Sequence, residues 1–560
     1  MAKKAAARRA EQRANAAPAA APAEVKPPSR LLQFLEKYAA VIAVAAVLIA
    51  SARIVATYNV FSHTFDEPYH IICGLEWLDH GTYTIERQHP PLARVAEAIG
   101  PYLLGSRCFR GQISEEKLMS PLFQNGKYDA VMAAARLGNL PFFWVGCIVV
   151  YVWGRRYFGK AIAAMAVFLF TMLPPILAHA GLATTDMALT SFLGAAFLSG
   201  YVWLEEPTRK HAIWFGVCTG LMMLSKYSGM AFLPVSAGLA LAWYVMSAKP
   251  GADRVMRELR ERMPSFGIAV LVACVLMWAA FRFTVGKDFN GLTVPAPDLF
   301  KGIQIVQFHN RIGHGGYLLG QRSADGFWYF YEVALLFKTP LGFLGLLIAG
   351  CVLALRDRGR YRQLWIALLF SGGILAVGVF SRINIGIRHV LPIYIGFSLA
   401  AAVALARAIE NVNAKRWTTT AAAVAVLWMT GSSIISHPDY LPYFNELAGK
   451  HPENILVDSD LDWGQDLKRL GVRLRQVGAT KIAWVSLAFG DFHKYMGFPP
   501  KTGIHPAIPE PGWNVVEMTN WKEYRLGLND DHPEVTPWPD LVPEQQRVGK
   551  SLLLYYFPER

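Results

Sequence analysis

Long apolar runs recur along this 560-residue chain and set the terms for anything it can fold into. A helix of roughly 20 apolar residues crosses the hydrocarbon of a bilayer, where every backbone polar group must be satisfied internally. Such runs fall near 38 to 58, 129 to 153, 161 to 180, 185 to 204, 211 to 226, 228 to 247, 265 to 285, 327 to 355, 363 to 381, 388 to 410 and 417 to 436. A polytopic α-helical membrane protein with about eleven spans is therefore expected. Composition agrees, with 53% of residues hydrophobic and 17% charged, against about 25% charged in a soluble domain.

The formal net charge of +14 raises the question of a nucleic-acid partner. The distribution of that charge answers it. Basic residues gather in short segments between apolar runs: Arg155, Arg156 and Lys160; Arg209 and Lys210; Lys249, Arg254, Arg257, Arg260 and Arg262; Arg356, Arg358, Arg360 and Arg362; Lys415 and Arg416. An alternating count puts all of them on one face, as the positive-inside rule describes. Residues 1–30, basic and rich in Ala and Pro, read as a disordered cytoplasmic tail on that face. No cleavable signal peptide is apparent, and two glutamates with a proline-rich end weigh against an organellar transit peptide.

The same count puts a loop from about 59 to 128, the turn GLATTD, a loop from about 286 to 326 and SRINIGIRH on the opposite face. In the first of these loops, LARVAEAIGPYLLG mixes apolar and polar positions as a helix lying in the interface would. Residues 31–436 are read as the membrane domain. About 120 residues after His437 are too polar to span, so 437–560 are expected to form a small soluble α/β domain on the outer face. Its strands are expected at ENILV, TKIAWVSLAF and KSLLLYYF, and its helix at LKRLGVRLRQVG. In such a fold, ligands dock at the carboxyl ends of strands.

Cys147, Cys218, Cys274 and Cys351 fall in apolar runs, where a thiol behaves as a small hydrophobe. Cys73 and Cys108 fall in the first outer loop, where one disulfide or two free thiols are both open.

Chemistry concentrates at the outer face. Asp66 and Glu67, in TFDEPYH, follow the first span within a few residues. A carboxylate there can take a proton from a hydroxyl while a lipid-borne partner arrives through the membrane. Capping the helix that begins at Pro68 is the simpler role and is compatible with it. Asp186, in LATTDMALTSF, heads the fourth span on the same face and has the same two readings. Lys226 in LSKYSG, Lys338 in FKTPLG, and Arg382, Arg388 and His389 around SRINIGIRH supply the complementary cations. A lysine at an apolar span either snorkels to the interface or meets an anion such as a phosphate. Carboxylates and phosphate-binding cations on one face suggest transfer of a group from a lipid phosphate: the phosphate leaves readily, and the acceptor hydroxyl needs a base.

Asp458, Asp460, Asp462 and Asp466 match a calcium loop at its first alternating positions and then depart from it. Trp463 stands where the glycine belongs and Arg469 where the bidentate glutamate belongs. Asp462 as an N-cap with Trp463 as a platform for a sugar or apolar face is the preferred reading, and Asp458 joins them on the acceptor side.

Together FDEPYH, QHPPLARV, TTDMALTSF, LSKYSG and NIGIRHVLP resemble the GT-C glycosyltransferases of family 39 type, the superfamily of protein O-mannosyltransferases and aminoarabinose transferases. YFNELAG followed by DSDLDWGQD is similar to the soluble domain of many bacterial members. The resemblance implies an inverting transferase that takes a sugar from a polyprenyl-phosphate donor and places it on an extracytoplasmic acceptor, an envelope glycan, lipid or protein. Asp66 matches the family's catalytic loop acid, Glu67 its neighbour, Asp186 a second acid, and Lys226 and Arg388 cations near the donor phosphate. The C-terminal domain departs from the three-repeat domain of eukaryotic O-mannosyltransferases, which leaves the acceptor open. A bacterial plasma membrane is expected, with the N-terminus cytoplasmic and the C-terminal domain periplasmic. His89, His389 and Glu67 could contribute metal ligands, but no spacing such as HxxxH is present, so no metal cofactor is expected. The runner-up reading is a transporter or flippase of lipid-linked sugar, and a structural subunit of an envelope assembly comes third. Transporters place paired charges near the midplane and show internal repeats, and neither is apparent.

Overall fold

Ser29 opens the first helix by accepting a hydrogen bond on its side chain from the Leu32 amide, and the helix Arg30–Val55 follows. Its large side chains Val41, Val44 and Leu48 are exposed, while Ala39, Ala43, Ala46 and Ala50 are buried. Small residues facing inward and large ones facing outward are what a helix needs to pack closely against neighbours in lipid. It lies against Lys160–Thr171. The computed structural model describes residues 29–109, 111, 114–124, 126–410, 416–484, 497–505, 507–524 and 536–558. The tail expected to be disordered falls outside them, apart from residues 29 and 30.

Eight described helices are long and apolar enough to cross a membrane: Arg30–Val55, Tyr128–Phe158, Asp186–Glu205, Gly229–Ala248, Ala252–Ala280, Arg362–Phe380, Ile393–Glu410 and Arg416–Ile435. The chain is an integral membrane protein. Two of the expected single spans are broken. Lys160–Thr171 and Pro174–Ala180 meet at 70°, and Phe330–Lys338 and Leu341–Arg356 at 118°. Prolines cause both breaks, since Pro174, Pro175 and Pro340 lack an amide hydrogen and push the preceding residue out of helical conformation. Counting each bent pair as one span gives ten. The remaining expected crossing, Arg209–Ser225, is a 17-residue helix packed along Ala252–Ala280 and Asp186–Glu205. Ile393–Glu410 is the most enclosed span. Gly396 allows its close approach to Arg362–Phe380, because a Cβ there would stand 2.2 Å from the Ala367 carbonyl oxygen.

The loop after the first span folds into Glu67–His80, Pro91–Leu103 and Glu115–Phe123, so the helix read in LARVAEAIGPYLLG is present. Cys73 is buried and Cys108 half-buried, and both are free thiols. The C-terminal part contains a five-stranded mixed sheet in the order Lys501–Thr502, Ile482–Trp484, Gly512–Glu517, Leu552–Phe557, Gln546–Val548. The first three strands pair in parallel and the last three antiparallel. Leu467–Gln476 is the expected helix, burying Leu467, Leu470 and Leu474 on one face. ENILV was expected as a strand. It is a 3-10 turn over Pro452–Asn454 that leads into a second turn at Asp458–Asp460.

Candidate active site

Four side chains from four separate segments meet at one end of the bundle. Asp66 lies at the start of Glu67–His80, Asp186 in the first turn of Asp186–Glu205, Lys226 just past Arg209–Ser225, and Arg388 in the 3-10 turn Ile387–Val390. Arg388 Nη1 donates to Asp66 Oδ2 at 2.8 Å and stands 3.9 Å from Asp186 Oδ2. Lys226 Nζ donates to Asp186 Oδ1 at 2.6 Å. Two carboxylates and two cations thus balance in charge, and Asp186 is the member shared by both cations. The Asp186 side chain is 1% exposed, those of Lys226 and Arg388 9% each, and that of Asp66 24%. Asp66 is the opening of the cluster.

Asp66 stands at the N-cap position, but its side chain makes no capping hydrogen bond. The simpler reading of Asp66 as a cap is therefore incorrect: its carboxylate is turned to Arg388. Thr185, not Asp186, holds the N-cap position of the next acid's helix.

Glu67 faces the other way. It is fully buried and accepts from Arg136 Nε at 2.9 Å, Arg136 Nη2 at 2.8 Å, the Thr64 amide at 2.8 Å and the Ala183 amide at 2.9 Å. Burial alone would raise its pKa, and the Arg136 guanidinium overcomes this and holds the carboxyl below its ordinary value. With its oxygens engaged, Glu67 ties the base of the loop together and is not presented to a substrate. Arg136 was not singled out from the sequence, although a lone arginine in YDAVMAAARLGNLP is the kind of intramembrane charge that calls for a partner.

Other expected members lie outside the cluster or are already engaged. Lys338 is buried, with Nζ donating to the carbonyls of Leu441 at 2.7 Å and Asp460 at 2.5 Å. Arg382 is half-buried and bound to Asp325 and to the Arg311 carbonyl. His389 is buried between Tyr331, ring-stacked at 5.8 Å, and Phe232. His89 packs edge-on to His70 at 5.1 Å and belongs to a second network in which Arg94 donates to Glu86, to His70 Nδ1 and to the carbonyls of Glu86 and His89. Burial would raise the Glu86 carboxyl, but Arg94 holds it well below the ordinary carboxylate range. Glu97 lies on the helix Pro91–Leu103, fully buried, with both oxygens free of hydrogen-bond partners among the described residues. Burial and the neighbouring Glu67 push its pKa well up.

The acidic run of the C-terminal part is a structural device. Asp462 does not cap the following helix, a position held by Asp466; its oxygens accept from the amides of Thr519 at 3.2 Å and Gly464 at 3.4 Å. Burial pushes Asp462 up to about 7 and also raises Asp458. Trp463 is 4% exposed, and its ring face lies under the Arg388 guanidinium at 4.1 Å, so it is no open platform. Ser459, unremarked in the sequence, accepts from Arg388 Nε at 3.0 Å. Among the described residues, no group of three or more His, Cys, Asp or Glu is placed to hold a metal ion.

Residues 119–281 match the family described as dolichyl-phosphate-mannose-protein mannosyltransferase. The structure is similar to the crystal structure of ArnT from Cupriavidus metallidurans bound to undecaprenyl phosphate, covering 91% of this chain and 97% of that one, at 13% identity and a TM-score of 0.51. It is also similar to an oligosaccharyltransferase from Archaeoglobus fulgidus, over 73% of this chain and 55% of that one, at 14% identity and a TM-score of 0.47. No curated protein matches the chain in sequence. The fold is shared with ArnT, and the family match over residues 119–281 agrees with the resemblance read from the sequence.

Proposed function

We propose that the chain is an inverting glycosyltransferase that moves a sugar from a polyprenyl-phosphate donor to an acceptor hydroxyl outside the cytoplasm. The carrying observation is the charge-balanced cluster in which Asp66, its most open member, shares Arg388 with the buried Asp186. Support also comes from the GT-C fold and from the undecaprenyl phosphate bound by ArnT.

In this reading Asp66 takes the proton of the acceptor hydroxyl. The freed oxygen lone pair forms a bond to the anomeric carbon from one side. The bond from that carbon to the phosphate oxygen breaks on the other side, and its electron pair leaves with the polyprenyl phosphate. Arg388 and Lys226 face that leaving charge, as fixed cations that need no reorganisation when it develops. Asp186 contacts both cations and sets where they stand. Among the described residues, Arg388 Nη2 makes no hydrogen bond, whereas Nε and Nη1 are engaged, so Nη2 is the amino group left for a phosphate oxygen. Base and phosphate then meet adjacent nitrogens of one guanidinium, which keeps them close without contact.

Asp66→Asn tests the reading. Turnover is expected to fall by about 10²- to 10⁴-fold, the worth of a general base, while polyprenyl-phosphate binding stays within about threefold of wild type. Turnover within about threefold of wild type would assign the base elsewhere.

A further inference from the structure

We infer that Trp463, in the C-terminal part of the chain, is a positioning residue that sets the separation of Asp66 and Arg388; this rests on the reading of Arg388 as a cation for the donor phosphate. Trp463 reaches both through different atoms. Its backbone carbonyl accepts from the amide of Phe65 at 3.0 Å, one residue before Asp66. Its ring carries the Arg388 guanidinium at 4.1 Å.

The turn that bears Trp463 is itself held firmly. The Trp463 amide donates to Gln465 Oε1 at 2.8 Å, and Gln465 Nε2 donates to the Leu461 carbonyl at 2.8 Å. Ser62 pins the same turn to the loop after the first span: its amide donates to the Gln465 carbonyl at 3.0 Å, and its hydroxyl contacts the carbonyls of Gly464 and Gln465 at 2.9 and 2.8 Å. The loop that ends in Asp66 is therefore registered against residues 463–465.

The Arg388 side receives matching support. Ser459 Oγ donates to the Ile385 carbonyl at 2.6 Å, which leaves its lone pairs to accept from Arg388 Nε at 3.0 Å. Asp460 Oδ1 accepts from the Ile387 amide at 3.1 Å. Gly386, at a φ of 91°, lets these segments meet, because a Cβ there would lie 2.6 Å from Ser459 Oγ. The guanidinium is thus fixed at Nε by Ser459, across one face by Trp463 and at Nη1 by Asp66. A cation stacked on an indole gains from the ring's quadrupole and loses freedom to swing. Residues 459–465 act as one brace that reaches into the membrane domain and aligns both working groups.

The test uses the full-length protein in lipid nanodiscs, titrated with polyprenyl phosphate, with turnover measured in parallel on Trp463→Leu, Trp463→Phe, Ser459→Ala, Arg388→Ala, Arg388→Lys and the double variant W463L/R388K. Trp463→Leu is expected to weaken polyprenyl-phosphate binding about tenfold, and Trp463→Phe, which keeps a π face, by no more than about threefold. Because Trp463 acts through Arg388, Trp463→Leu should cost little further affinity in the Arg388→Lys background. If Trp463→Leu fails to fold, Ser459→Ala carries the same expectation with the loss of one hydroxyl: weaker phosphate binding and unchanged acceptor KM. Full additivity of the two substitutions, or equal affinities for the Leu variant and wild type while Arg388→Ala binds weakly, would overturn the role of Trp463. Unchanged phosphate affinity in Arg388→Ala would instead strike the phosphate assignment itself.

Discussion

Two adjacent carboxylates in this chain have opposite fates. Asp66 opens toward the cluster, whereas Glu67 is sealed against Arg136, the two side chains being 0% and 1% exposed. Breaking a fully buried ion pair by removing one partner costs about 3 to 5 kcal/mol, because the other charge is left without compensation. Glu67→Gln and Arg136→Leu are therefore expected to lower stability by about that amount, seen as a large drop in the unfolding midpoint of the solubilised protein. Asp66→Asn should change the midpoint little and turnover greatly. A stable Glu67→Gln with impaired turnover would return Glu67 to the chemistry. The cations yield a second prediction: Lys226→Ala and Arg388→Ala should each weaken donor binding by roughly 1.5 to 3 kcal/mol, the worth of a charge-assisted contact. Acceptor binding should move less. The two losses should also couple, since both cations contact Asp186. Equal losses for donor and acceptor would mark a folding defect. Asp66, Asp186, Lys226 and Arg388 were legible in the sequence as charges where charge is costly, and the structure brings all four together. What separates Asp66 from Glu67 was not legible, because it depends on Arg136, 69 positions beyond Glu67.

At the scale of elements, apolar length predicted where helices lie better than it predicted whether they are straight. The runs near 161 to 180 and 327 to 355 were read as single spans, although Pro174, Pro175 and Pro340 stand inside them. The second break places Lys338 at a helix end, where its ammonium meets two carbonyls rather than a ligand. ENILV has strand composition but lies in turns, and a segment that has to deliver Ser459 and Asp460 to Gly386 cannot also run as a strand. The acidic run that follows makes a pH-dependent element. Asp462 binds its proton at about 7 in the folded chain against 3.8 for the ordinary carboxyl, burial being the cause. Between those values the folded state holds one more proton than the unfolded state, so stability falls as pH rises. The unfolding midpoint is expected to drop between pH 5 and about 7.5, and Asp462→Asn, which cannot ionise, should flatten that drop. Parallel curves for variant and wild type would show that Asp462 does not titrate with folding.

For the whole molecule, the arrangement of the C-terminal part fixes which end of the first helix it shares. Arg30–Val55 has 26 residues, a length of about 39 Å at 1.5 Å per residue, enough to carry the chain across a bilayer with some tilt. Just past its far end, Lys468 Nζ donates to the Asn59 carbonyl at 2.7 Å and to Asp129 at 2.6 Å, and Ser62 pairs with Gln465. The sheet-bearing part is thereby latched to the end opposite Arg30. Near the Arg30 end, Glu36 accepts from the Ala161 amide at 2.7 Å, and Arg156 pairs with Glu205 and Glu206. Arg262 Nη2 donates to the Leu204 carbonyl at 3.1 Å, so its basic segment lies at the same end. An odd number of crossings must separate the two ends, and the ten spans counted with bent pairs become eleven when Arg209–Ser225 also crosses. Tags at residues 20 and 500 are accordingly expected on opposite faces, with only the tag at 500 reached by an impermeant reagent in intact spheroplasts. Equal accessibility of the two would mean an even count. The helix to re-examine would then be Arg209–Ser225, whose 17 residues are at the lower limit for a span. A further tag at Tyr227–Ser228 would decide it, because those residues sit on the face opposite Arg30 only if the helix that precedes them, Arg209–Ser225, crosses.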